Sequence, residues 1–131
     1  MSQRLPSSAN VVLKGIREEP SAEDGARVLV DRLWPRGVSK ERAALDEWAK
    51  DATPTTELRR AFHSGDLPWP QFVEAYRAEL TERPEARAAV ERLRDEALKG
   101  RGTLLFAGHD HVHCHARVLR EAVLGVEEDL T

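Results

Sequence analysis

One cysteine in 131 residues excludes an internal disulfide, and nothing else argues for an oxidising compartment. No apolar run approaches the ~20 residues that a membrane-spanning helix needs. The opening MSQRLPSSAN has no apolar block of the kind that drives secretion. A basic excess is missing too: the net charge is -3 and the isoelectric point about 6.0, which argues against nucleic acid as a partner. There is no helix-turn-helix pattern, no aromatic-basic platform and no glycine-rich loop that would name a cofactor. The expectation is a cytoplasmic protein with no membrane partner, its cofactor and oligomeric state left open.

What is present is enough apolar sequence, 40% of residues, to build one core. Residues 1–10 read as a flexible arm, 11–125 as one domain, and 126–131 as a solvated acidic tail. Val11 to Ile16 and Arg27 to Trp34 read as strands, the second with the apolar run Val28-Leu29-Val30. Pro35 ends it and Gly37 permits a turn. Ser39 is placed to cap a helix carrying Ala44, Leu45 and Trp48 inward, and Thr53-Pro54 to open another that shows Leu58 and Phe62 to the core. Trp69, Phe72, Val73, Tyr76 and Leu80 share one helical face. Pro84 starts a helix with Ala86, Val90, Leu93 and Ala97 inside. Thr103 to Ala107 is a third strand. The stripe Val112, Ala116, Leu119 and Val123 predicts a last helix beginning near position 111.

Strands covered on both faces and separated by helices define a small single-domain α/β sandwich. Its sheet is largely parallel, of three or four strands, and flanked by helices. Ligands of such sheets sit beyond the carboxyl ends of the strands. Two polar segments fall there, Asp31-Arg-Leu-Trp-Pro-Arg-Gly37 and Gly108-His-Asp-His-Val-His-Cys-His115.

The runs VLVDRLWPRG, FVEAYRAEL, TLLFAGHD and HCHARVL resemble those of the YeaO-like bacterial proteins, domain-of-unknown-function family 488, from about Val11 to Leu124. The resemblance implies that certain positions belong together. They are Asp31, Arg32, Trp34, Pro35, Arg36 and Gly37; then Trp48, Pro54, Leu58, Arg59, Phe62 and His63; then Asp110, Cys114, His115 and Ala116. It implies no activity. His109, His111 and His113 lie outside the shared motifs.

The first segment holds an acid, two arginines and an indole. A guanidinium grips phosphate or carboxylate with two parallel hydrogen bonds, and Trp34 can stack on a ring. The plainer reading is an ion pair at a strand end. On strand alternation, Arg32 and Trp34 would share one face.

In the second segment, a helix from 111 sets His111 and His115 at i, i+4, where both could reach one metal ion. Only one cysteine exists, however, and a structural zinc wants four ligands. Cys114 and His115, being adjacent on a helix, face apart and make a poor nucleophile and base. Cys114 is expected to be a small buried residue. Asp110 is expected to cap the helix, leaving donors for an anion.

The leading expectation is an anionic small molecule, phosphorylated or nucleotide-like, at the carboxyl edge of the sheet. Arg32, Trp34, Arg36, His63 and Cys114 would line its site. Asp31, Asp110 and His115 would orient it or serve as acid and base if there is catalysis. The alternatives are a regulatory or nucleic-acid-binding protein without chemistry, and a metal-dependent enzyme built on His111 and His115.

Overall fold

A computed structural model describes residues 4–127 and Leu130. Four parallel strands form one sheet: β1 (Val11–Gly15), β2 (Ala26–Leu29), β3 (Glu47–Trp48) and β4 (Gly102–Phe106), in the order β1-β4-β2-β3. The helices are α1 (Lys40–Ala43), α2 (Thr56–His63), α3 (Trp69–Glu82), α4 (Pro84–Lys99) and α5 (His115–Leu124). The fold is thus the small α/β architecture that the sequence predicts.

The strand alternation sorts the core into two layers. Val28, Val30, Leu104 and Phe106 face one side, where they meet the buried stripes of α3, α4 and α5. Leu29, Leu105 and Ile16 face the other, under Val38, Ala43, Trp34 and Trp48. Every central strand residue therefore loses water, which is why these strands read as unbroken apolar runs. The stripe from Trp69 to Leu80 is buried throughout, as its spacing requires.

Four local expectations are corrected. β2 stops at Leu29, not Trp34, because the Asp31 carboxylate and the Arg32 guanidinium bond to other parts of the chain and Pro35 has no N–H to give. The strand alternation that would pair Arg32 with Trp34 on one face therefore does not extend to them. Ser39 caps only the single-turn α1. Ala44 then adopts a left-handed conformation, and Trp48 continues into the edge strand β3 instead of a helix. The cap of α2 is Thr55, whose hydroxyl accepts from the Leu58 N–H; the Thr53 hydroxyl instead donates to the Lys50 carbonyl. The fourth is the start of α5, four residues later than the apolar stripe suggests. Asp110 accepts the N–H groups of Val112 and His113, both at 2.9 Å, and this tight turn competes with the helix. Val112 is consequently 59% exposed instead of buried.

At the far end of the chain, Leu130 is buried and its carbonyl accepts the Trp69 indole N–H at 2.6 Å. This part of the predicted acidic tail packs into the core. Its neighbours Glu128, Asp129 and Thr131 lie outside the described residues.

Candidate functional site

All four strands end towards one side of the molecule. There the loop after β2 and the loop after β4 meet over a cleft of about 620 Å³. It is lined by Asp31, Arg32, Leu33, Trp34, Pro35 and Arg36 from the first loop. The second contributes Ala107 to Asp110 and His113 to His115. Arg59, Phe62 and His63 of α2, with Pro54 and Phe72, close the third side. The eight residues singled out from sequence thus share one cavity.

Asp31 ties the two loops together. Its Oδ2 accepts the Ala107 N–H at 2.8 Å, its Oδ1 lies 3.3 Å from His115 Nε2, and its carbonyl accepts the Trp48 indole N–H at 2.6 Å. The His115 Nε2 is also 2.7 Å from the Val30 carbonyl, which can only accept, so this nitrogen carries the proton. Both groups therefore serve first to hold the strand ends in register. The Arg32 Nε donates to the Pro54 carbonyl at 2.9 Å, linking the first loop to the approach of α2. Trp34 donates to the Val38 carbonyl and meets Trp48 edge-on at 5.3 Å, so its indole is held in place. Between them Gly37, at φ 78°, makes the turn that brings Val38 back under the ring.

Two arginines differ from these. The side chains of Arg36 and Arg59 make no hydrogen bond or ion pair among the described residues, and both line the cleft. Arg59 and His63 stand at i, i+4 on α2, on the face beside the core pair Leu58 and Phe62. Partial burial lowers the His63 imidazole below its ordinary range. The Arg59 and His115 charges add to this, and Asp31 opposes it. Asp110 is lowered by the backbone N–H bonds from His113 and Val112.

Cys114 is buried at the entrance to α5, and its burial pushes the thiol up to about 11. The backbone N–H groups of Ala116 and Arg117 lower it, too weakly to offset that cost. At neutral pH it is a thiol, not a thiolate. The metal-binding pair also fails to form, because the helix does not include His111. The ring of His111 packs against Phe106 at 5.0 Å, while His115 faces the strand end. Among the described residues no three His, Cys, Asp or Glu side chains are grouped to hold a metal ion.

Sequence reasoning did not assign a binding role to Arg59, His109, His113, Leu33 or Phe62. The signal for Arg59 was its i, i+4 spacing to His63 on a helix whose neighbouring face carries Leu58 and Phe62. Phe62, on the same helix, reads as core, and His109, His113 and Leu33 depend on how the loops fold back.

The fold and cleft define a small parallel α/β protein with a polar site at the carboxyl edge of its sheet. Residues 10–130 match the family described as the inactive DUF488-N3 subclade, and the chain belongs to this YeaO-like branch of family 488. It is 43% identical over 112 residues to the uncharacterized protein YeaO of Escherichia coli strain K12, covering 86% of this chain and 95% of that one. It is 33% identical over 110 residues to the uncharacterized protein Rv3073c of Mycobacterium tuberculosis strain H37Rv, covering 84% and 90%. No solved structure matches.

Proposed function

We propose that this protein binds an anionic, phosphorylated small molecule in the cleft and does so without catalysing its conversion. The observation that carries the reading is the pair of uncommitted guanidiniums, Arg36 and Arg59, on two separate elements lining one cavity. Two such forks, with the remaining Arg32 donors, suit a phosphate or carboxylate. Trp34 forms part of the apolar wall. Asp31, Asp110 and His115 fix the loops that present these groups, and Asp110 does so by closing its own turn.

Three features favour binding over chemistry. The only thiol is protonated at neutral pH. The proton on His115 Nε2 is already given to a backbone carbonyl. The matching family is described as an inactive subclade. The reading sets the protein in the cytoplasm, where phosphorylated metabolites are kept.

Thermal denaturation with a panel of nucleotides and sugar phosphates tests it. A ligand at 100 times its dissociation constant adds about 2.7 kcal/mol of stability. Arg36→Ala should keep the unliganded melting temperature and lose most of that gain. An unshifted melting curve across the panel, or full stabilisation of the Arg36→Ala variant, would sink the proposal.

A further inference from the structure

We infer that the cleft selects a phosphomonoester carrying a flat ring, the chemical class of the nucleoside monophosphates, over di- and triphosphates. The inference rests on the anion-binding reading and adds to it the charge and shape of the ligand.

Charge comes first. Arg32, Arg36 and Arg59 line the cavity together with Asp31 and Asp110, three guanidiniums to two carboxylates. Counting these groups, the cleft holds a single net positive charge. A phosphomonoester carries about -1.5 to -2 at pH 7, which already exceeds that net positive charge. Each further phosphate adds negative charge beside two fixed carboxylates, and no fourth guanidinium lines the cleft to meet it; Arg17, behind the two loops, donates to the Arg36 and Ala107 carbonyls. Neither carboxylate can move away. Asp31 is held by the Ala107 N–H and Asp110 by two N–H groups of its own turn.

Shape follows. A cleft of about 620 Å³ is far larger than a bare phosphate needs. The rest of its wall is apolar: Trp34, Pro35, Pro54 and Phe62 line it, with Leu33 at the rim. Leu33 is 61% exposed, and Val112, in the facing loop, is 59% exposed. Among the described residues only four large apolar side chains are exposed, and these two, the most open of them, stand on the two loops that form the cleft. A flat ring laid on this wall covers apolar surface that water otherwise wets. The phosphate of the same molecule then reaches Arg36 and Arg59.

Isothermal titration of the full chain with adenosine monophosphate, adenosine triphosphate, adenosine and inorganic phosphate, at fixed ionic strength, tests this. The monophosphate should bind at least tenfold more tightly than each of the other three. Arg59→Gln, at a half-buried helix position with no side-chain partner among the described residues, should weaken the monophosphate at least tenfold and leave adenosine unchanged. Leu33→Ser should weaken the monophosphate and leave inorganic phosphate unchanged. If the triphosphate binds as tightly as the monophosphate, or inorganic phosphate does, the selectivity is wrong while the anion site stands. If no phosphate compound binds, the anion site itself is wrong.

Discussion

The two ends of the sheet use arginine in opposite ways. At the amino end Arg27 is buried and fully engaged. Its Nη1 meets the Asp24 carboxylate at 2.5 Å, and its Nε and Nη2 both donate to the Ala43 carbonyl. Lys14 completes the ion cluster on Asp24 at 3.0 Å. At the carboxyl end Arg36 and Arg59 border a cavity, without side-chain partners among the described residues. The residue type is the same, but one end is a fastener and the other is open to a ligand. Burial decides which: a guanidinium sealed from water must satisfy its donors within the protein, whereas one facing a cleft can wait in solvent.

Breaking the closed end should have the largest effect. Arg27→Ala leaves Asp24 buried beside a lone lysine and strips the Ala43 carbonyl of its donors, for a cost of about 3–5 kcal/mol. Arg36→Ala, in contrast, should change the stability of the unliganded protein by no more than about 0.5 kcal/mol. Urea denaturation of both variants measures the contrast; equal losses would dissolve it. The closed end also carries a pH signature. Burial works to raise the Asp24 carboxyl, but the Ser21 N–H, Lys14 and Arg27 together hold it below its ordinary value. A carboxyl depressed in the folded state stabilises above its unfolded pKa of about 3.9, and the gain is lost as pH falls through the folded value. Asp24→Asn should therefore flatten the acid limb of the stability profile.

The second prediction concerns Cys114, which lies at the open end but behaves as core. With its thiol near 11, alkylation by iodoacetamide at pH 7 should run roughly a hundredfold slower than that of an exposed cysteine. A rate matching free cysteine would put Cys114 among the groups available to the cleft.

A third prediction tests what keeps the open end in shape. Asp31→Ala leaves the Ala107 N–H unpaired and frees His115 on one side, at a cost of about 1–3 kcal/mol. Because it uncouples the two loops, it should weaken ligand binding more than its loss of negative charge would strengthen it. Asp31→Asn, which keeps one acceptor for Ala107, should recover much of the stability. If Asp31→Ala melts as the wild type does, the carboxylate is not the link between the loops.

The unequal ends also explain what was legible in the sequence. The closed core writes itself plainly. Val28-Leu29-Val30, Thr103 to Phe106 and the Trp69 to Leu80 stripe are buried because burial on both faces demands apolar residues at every position, or at every third and fourth. The clustering of the two polar loops followed from parallel strands having their carboxyl ends on one side. The local course of those loops was not legible, because there the backbone follows side-chain bonds instead of periodicity. Asp110 diverts Val112 from the stripe of α5, and Arg32 reaches across to the Pro54 carbonyl. Glu47 and Trp48 form a two-residue strand, too short to show any period, and one that only its pairing with β2 defines. The place of Arg59 in the cleft needs the position of α2, which no local pattern supplies.

The smallest effect expected is also the one that separates the two ends most finely, because it reads the field inside the open one. His63 is lowered by partial burial, then by the charges of Arg59 and His115, with Asp31 opposing. Since its folded pKa lies below the unfolded value of about 6.5, the unfolded chain takes the proton first as pH falls. Stability from this residue is thus unaffected above that pH and declines below it, until the folded imidazole is also protonated. An anion seated beside Arg59 cancels the repulsion and raises the His63 pKa, so on binding near pH 6 His63 should take up a fraction of a proton, alongside the exchange of the ligand's own phosphate. Titration calorimetry in two buffers of different ionisation enthalpy measures that uptake directly. His63→Gln should abolish most of it, and Arg59→Gln should raise the His63 pKa in the unliganded protein, as followed by its ring proton resonances. A proton exchange that is the same in the wild type and in His63→Gln would mean that the anion and His63 do not share one field, and that the open end is divided between separate sites.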